Sequence, residues 1–207
     1  MKKFVFTSLI VLVIAVSTMS QDSNPLLGEW KTPHQVPPFD QIKEEHYLPA
    51  FKIAMEQHAK EIEAIANNKK PATFQNTIEA LDYSGELLRR VANVFFVLNA
   101  SMTNEKMQQI ANEVAPMLSK HYDDIILNEN LFKRIKEVYD KRDKLNLNAE
   151  QKRLLEKYYR DFSRNGANLN NEQKNELRKI NEELSILQVK FGDNVLKEEN
   201  RYELVIE

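Results

Sequence analysis

The chain has 207 residues, 42% hydrophobic and 29% charged, enough apolar material to bury the core of one or two domains and unlike a disordered chain. Its 29 Lys and Arg against 31 Asp and Glu leave a net charge of −2, so no excess of cations exists to neutralise a nucleic-acid backbone. It has no cysteine and only four glycines, Gly28, Gly85, Gly166 and Gly192; disulfides, thiolate metal sites, cysteine nucleophiles and glycine-rich phosphate loops are thereby excluded, and any metal has to be held by His, Asp or Glu.

At the start, Lys2 and Lys3 precede an apolar run over residues 4–16 and then the small residues Ser17, Thr18 and Ser20. That is the order of a secretory signal, and the run is short for a bilayer span. Residues 1–20 are therefore expected to be a cleaved signal peptide, the mature protein to be exported to the periplasm, and no stable membrane association to remain; the alternative is an uncleaved anchor. Residues 21–39, which include NPLLGEWKTPHQVPPF, are proline-rich and aperiodic and read as an extended lead-in.

Residues 40–200 carry helical periodicity. Leu48, Phe51, Met55, His58, Ile62 and Ile65 line one face of a first helix, with Pro49 tolerated if it falls in the first turn, and Asn67, Asn68 and Pro71 end it. Thr73 is the expected N-cap of a second helix, with Asn76 or Thr77 as alternative starts. Its stripe of Ile78, Leu81, Leu88, Val91, Phe95 and Leu98 runs to about Ser101, and Gly85 interrupts it where close packing is possible. A third helix from about Asn104 carries Met107, Ile110, Val114, Met117 and His121, with a bend expected at Pro116. Leu131, Ile135 and Val138 mark a fourth. Leu154, Leu155, Tyr158, Tyr159 and Phe162 mark a fifth that stops at Asn165 and Gly166.

The last long helix, Asn171 to about Glu199, carries Leu177, Ile180, Leu184, Leu187, Phe191 and Val195 as a packing seam. Residues 201–207, RYELVIE, alternate like the beginning of a strand that has no neighbour in this sequence. The expected fold is all-α, an antiparallel bundle of about six helices with an orphan C-terminal strand. No internal repeat points to a solenoid.

The four histidines raise the question of a metal site. His46 and His58 are twelve residues apart, which on one straight helix separates them by about 120° and roughly 18 Å. They cannot share an ion, and none of the four has a second histidine at HExxH spacing. His58 and His121 lie on apolar stripes, where a neutral imidazole needs one partner, so a structural role is expected for both. His121 with Asp123 and Asp124 is a looser cluster whose side chains diverge round a helix.

Lys133, Arg134, Lys136, Lys141, Arg142 and Lys144 alternate with Glu137, Asp140 and Asp143 and read as a solvated face. Tyr158, Tyr159 and Phe162 read as core. Asn99-Ala100-Ser101 matches a glycosylation triplet, a short pattern common by chance.

Four stretches taken together resemble one family: NPLL, PPFDQIKEEHYLPAFKIAM, TFQNTIEALDYSGELLRRV and DFSRNGANLNNEQKNELRKINEELSILQVKFGDNVLKEEN. They are similar to the N-terminal part of the thimet-oligopeptidase-like zinc metallopeptidases, nearest the bacterial peptidyl-dipeptidases, over essentially all of residues 24–207. Glu44 departs from the proline frequent there. The resemblance implies a helical bundle forming one wall of a deep channel that admits short peptides, facing a catalytic half with HExxH and a further glutamate. There zinc polarises the scissile carbonyl and the HExxH glutamate activates water.

This sequence contains no HExxH, so no catalytic, cofactor-binding or metal-binding residue carries over. The chain is expected to be the N-terminal segment of an exported peptidase that neither hydrolyses peptides nor holds zinc tightly by itself. The alternatives are a self-contained helical interaction module and an inactive truncated relative.

Overall fold

A computed structural model describes residues 24–203. The expected signal peptide, the first residues of the lead-in and residues 204–207 lie outside the described residues.

Asparagine starts most of the helices. The side chains of Asn104, Asn128, Asn148 and Asn170 each accept a hydrogen bond from the backbone N–H three residues on, at 2.8–3.0 Å, each cap contributing about 1 kcal/mol. Gln151 and Gln173 complete capping boxes by accepting from the N–H of Asn148 and Asn170. The resulting helices are α1 (Glu44–Ala66), α2 (Ala80–Tyr83), α3 (Glu86–Ser101), α4 (Glu105–Ile126), α5 (Glu129–Asp140), α6 (Ala149–Arg164) and α7 (Asn171–Glu199). Six are long, as expected, and no strand occurs among the described residues.

Several local expectations are corrected. Pro49 is the sixth residue of α1, beyond its first turn. The Glu45 carbonyl that loses its partner there lies on the exposed side, where water replaces the missing N–H. The second helix is divided: Thr73 caps it as expected, accepting from the Asn76 N–H at 3.1 Å, but Phe74–Glu79 is wound as a π-turn before the four residues of α2. The chain then breaks at Ser84 and Gly85, where Gly85 takes the left-handed conformation, φ 70°, that side chains disfavour. Helix α4 includes Pro116, where the bend was expected, without a break in the helix. Arg201 and Tyr202 close the end of α7 with turn bonds to Glu198 and Glu199 rather than opening a strand.

The lead-in is anchored, not loose. Leu26 is buried, Arg90 donates to its carbonyl at 3.1 Å and lies over the Trp30 ring at 4.8 Å, and Asn24 donates to the His46 carbonyl at 2.8 Å.

Helix directions follow from paired contacts. Tyr47 and Phe51 meet Phe95 while Glu61 meets Gly85, so α1 and α3 are antiparallel. Asn112 meets Asp193 and Asp124 meets Arg178, so α4 and α7 are antiparallel too. Phe132 with Phe162 and Tyr139 with Tyr159 set α5 against α6 in the same sense. By contrast Glu44 meets Asn104 and His58 meets His121, so α1 and α4 run parallel. The expected antiparallel arrangement is therefore seen in three helix pairs but not between α1 and α4, because α3 lies on α1 and returns the chain to the end from which α1 set out.

The interior consists of two apolar clusters. One gathers Tyr47, Phe51, Met55, Val91, Phe95, Ile110 and Val114; the other gathers Ile62, Ile65, Ile78, Leu81, Ile125, Leu131, Ile135, Leu155 and Phe162. Each of α1 and α4 contributes to both, with a histidine between its two contributions.

Candidate functional site

His58 of α1 and His121 of α4 occupy the seam between the two apolar clusters. His58 Nδ1 and His121 Nε2 are 3.0 Å apart, and His58 Nε2 is 3.2 Å from Ser84 Oγ. The Ser84 hydroxyl donates to the Leu81 carbonyl at 2.7 Å, so its oxygen accepts from His58 Nε2–H. His58 Nδ1 is then the acceptor for His121 Nε2–H. His58 is thereby a neutral ring with its proton on Nε2, and burial beside it favours the neutral form of His121.

Glycine at position 85 makes this layer possible. A Cβ there would fall 2.7 Å from the His58 ring, and its free N–H donates to Glu61 Oε2 at 2.7 Å. Burial first pushes the His58 pKa down, with Glu61 pulling it the other way. Burial and then the His58 ring lower that of His121 to about 4. Glu61 is pushed up by burial, yet the Gly85 N–H, the Gln57 amide and His58 together hold it below the usual carboxylate range.

Ser84, His58 and His121 have the order of nucleophile, base and orienting group, but the chemistry does not follow. The serine proton is committed to a backbone carbonyl, and the larger surface hollows do not reach these side chains. The layer is structural, as the stripe positions of His58 and His121 imply. Their direct contact was missed. Its one trace in the sequence is that each is the lone polar residue in an otherwise apolar stripe.

The remaining sequence candidates fall into place around it. The His46 imidazole accepts from the Lys43 N–H at 3.0 Å and caps α1, far from His58. Asp123 accepts from Asn181 at 2.7 Å and Asp124 from Arg178 at 2.7 Å, so both carboxylates are held by α7 and diverge from His121. Among the described residues no three His, Asp or Glu side chains converge on one point. The His58 and His121 nitrogens face each other, and these residues do not fit the zinc that the family resemblance implies.

Arg134 corrects the reading of a solvated basic face. It is buried and donates to the carbonyls of Asn68 and Lys70 and to the side chains of Asn76 and Thr77, at 2.9–3.3 Å. Its place three residues after Leu131 and four before Val138 puts it on the inner side of α5. Lys136–Asp140 and Lys141–Glu137 are exposed pairs on the outer side, as expected. Tyr159 stacks on Tyr139 at 3.8 Å and Phe162 on Phe132 at 6.4 Å, which bears out the core reading of that group.

A hollow of about 760 Å³ opens where the N-terminal ends of the parallel helices α1 and α4 meet. Its walls are Phe39, Ile42, Tyr47, Leu98, Met102 and Met107, with Lys43, Glu44, Glu45 and Asn104 supplying polar atoms. Helix α7 departs most from expectation: Leu177 packs at the Gly166 turn, but the rest of its apolar seam, Ile180 to Val195, is exposed and nothing among the described residues covers it.

These features define a helical domain braced by a buried polar layer, with one apolar helix face left uncovered. No family model matches the chain. It is 40% identical over 173 residues to the dipeptidyl carboxypeptidase of Escherichia coli, a match spanning 84% of this chain and 25% of that protein. It is 28% identical over 174 residues to oligopeptidase A of the same organism, again 84% and 25%. A thimet-like oligopeptidase of Dictyostelium discoideum is 29% identical over 168 residues, 79% and 25%. The chain belongs to the family of these peptidases, and spans about a quarter of the length of the relatives it matches.

Proposed function

We propose that this chain is the N-terminal helical part of an exported, zinc-dependent peptidyl-dipeptidase or oligopeptidase. One observation carries the reading: the match takes in most of this chain but only a quarter of each relative, so the chemistry belongs to the part these residues do not include. The relatives' names supply the substrate class, short peptides. Zinc belongs with that remaining part, since His58 and His121 are committed to each other.

The role of the helices is steric. A braced wall of long helices narrows a channel to the width of an unfolded peptide and excludes folded proteins. The apolar hollow between α1 and α4 suits the side chain of such a peptide. Export rests on the charge, apolar and small-residue order of residues 1–20, and a periplasmic protein is the result.

The test is hydrolysis of short peptides by the longer gene product, with and without a zinc chelator. Chelator-sensitive hydrolysis by that product, and none by the 207-residue chain, is expected. A zinc-loaded longer product that leaves peptides intact would refute the reading, as would a stop codon directly after codon 207. For export, N-terminal sequencing of the secreted protein should begin near residue 21, and a chain still starting at Met1 counts against cleavage. The uncovered face of α7 also suits a self-contained interaction module, which predicts a stable complex with a separate protein and no longer product.

A further inference from the structure

Helix α7 turns a largely polar side to its neighbours, with Val189 and Leu177 as its apolar contacts, and exposes an apolar row. Against α4 and α5 it turns Lys174, Arg178, Asn181 and Asp193, which pair with Glu129, Asp124, Asp123 and Asn112. About 130° round the axis, Ile180, Leu184, Leu187, Phe191 and Val195 form a continuous row roughly 22 Å long. These five are 40–71% exposed. A lone exposed leucine is ordinary, but a row of large apolar side chains at helical spacing is the pattern of a covered interface.

We infer that this row is an intramolecular seat, on which the remaining three quarters of the longer peptidase lays an apolar face; the inference rests on the reading of this chain as part of such a protein. The relatives extend to about four times the matched length, so the chain needed to cover the row exists in them. The polar stripe explains why α4 cannot serve: rotating α7 to bury the row on α4 would strip Asp123 and the buried Lys174 of their partners and take Arg178 from Asp124. A second copy is a poorer occupant. Antiparallel pairing centred on Leu187 sets Glu176 opposite Glu198, and like charges in register oppose association.

The absence of cysteine from this sequence permits a direct test by maleimide labelling. Leu184→Cys and Phe191→Cys report on the row, and Lys179→Cys on the exposed flank beyond it. Each is placed in the 207-residue chain and in the longer product, with any cysteines beyond residue 207 replaced by serine. In the short chain all three should label at similar rates. In the longer product positions 184 and 191 should slow roughly ten-fold or more while 179 does not, because labelling then requires local opening.

Equal labelling of all three in the longer product would overturn the inference. So would a dimer of the 207-residue chain, seen by sedimentation, that Leu187→Glu dissociates, since the row would then belong to a second copy. Peptide hydrolysis separates the two proposals: protection without hydrolysis refutes the peptidase and keeps the seat, and hydrolysis without protection does the reverse. A gene that stops at codon 207 refutes both.

Discussion

Acidification from pH 7 to pH 4 forces a proton onto an imidazole that the fold keeps neutral. Burial first, then the His58 ring, lowers the His121 pKa from 6.5 to about 4, with Asp124 opposing and Lys120 assisting. Glu61 faces the pair from α1, and Arg178 of α7 is bound to Asp124. The unfolded chain takes up the proton near pH 6.5 and the folded chain only near pH 4, so between these values the unfolded state binds more protons and stability falls as pH falls. The contribution is fully present above about pH 6.5 and lost by about pH 4. A gap of about 2.5 pH units is about 3 kcal/mol, a large share of the 5–15 kcal/mol that typically stabilises a domain.

The assay is urea unfolding followed by far-UV circular dichroism at intervals between pH 7 and pH 4. It compares the natural sequence with His121→Gln, whose amide still donates to His58 but does not titrate in this range. Carboxylates are protonated toward the acid end in both proteins, so the difference between the two curves isolates His121. The natural protein should lose about 3 kcal/mol more than the variant. Parallel curves would refute the neutral, buried pair.

Gly85→Ala should destabilise by about 2–4 kcal/mol in thermal melts, because the added Cβ meets the His58 ring and the left-handed backbone disfavours it. Arg134→Met should cost about 2–4 kcal/mol and speed amide exchange over residues 68–77, whose carbonyls and side chains lose their donor. Arg134→Lys should not restore it, since an ammonium cannot span four acceptors in a plane. Phe51→Ala should cost about 3–5 kcal/mol by opening a cavity beside Phe95, measured as a drop in the urea midpoint at constant slope.

Most helix starts were legible because they are local chemistry. Asn104 precedes a periodic stripe, and Thr73 precedes a polar residue three on that returns its bond. Gly85 was legible as an interruption suited to close packing. What it packs against was not, because the His58 ring is 27 positions away in the chain and arrives only when α1 and α3 fold together. Pro49 misled for the same local reason: the rule that places proline in a first turn does not record that this side of α1 faces water. Arg134 was read with its charged neighbours, although its helical phase matches Leu131 and Val138 and not Lys136.

The family resemblance and the matched relatives agree, and both rest on residue identity along the chain. Neither the resemblance nor the helical period could place α7. Its stripe was recognised as a seam, but periodicity says only that a face is apolar, not which element covers it. The described residues assign α4 to the polar stripe instead, through Asp123, Asp124 and Asn112.

By itself the amino-acid order determined the all-helical class, the Thr73 cap, the apolar faces and the absence of a helical zinc motif, because each depends on residues within a few turns of one another. Tertiary structure alone decided that α1 and α4 run parallel, that His121 donates to His58 between two apolar clusters, that Arg134 is buried and that α7 faces its apolar row outward. Each of these depends on groups 45 or more positions apart, and a contact of that kind comes into being only when separate helices are packed together.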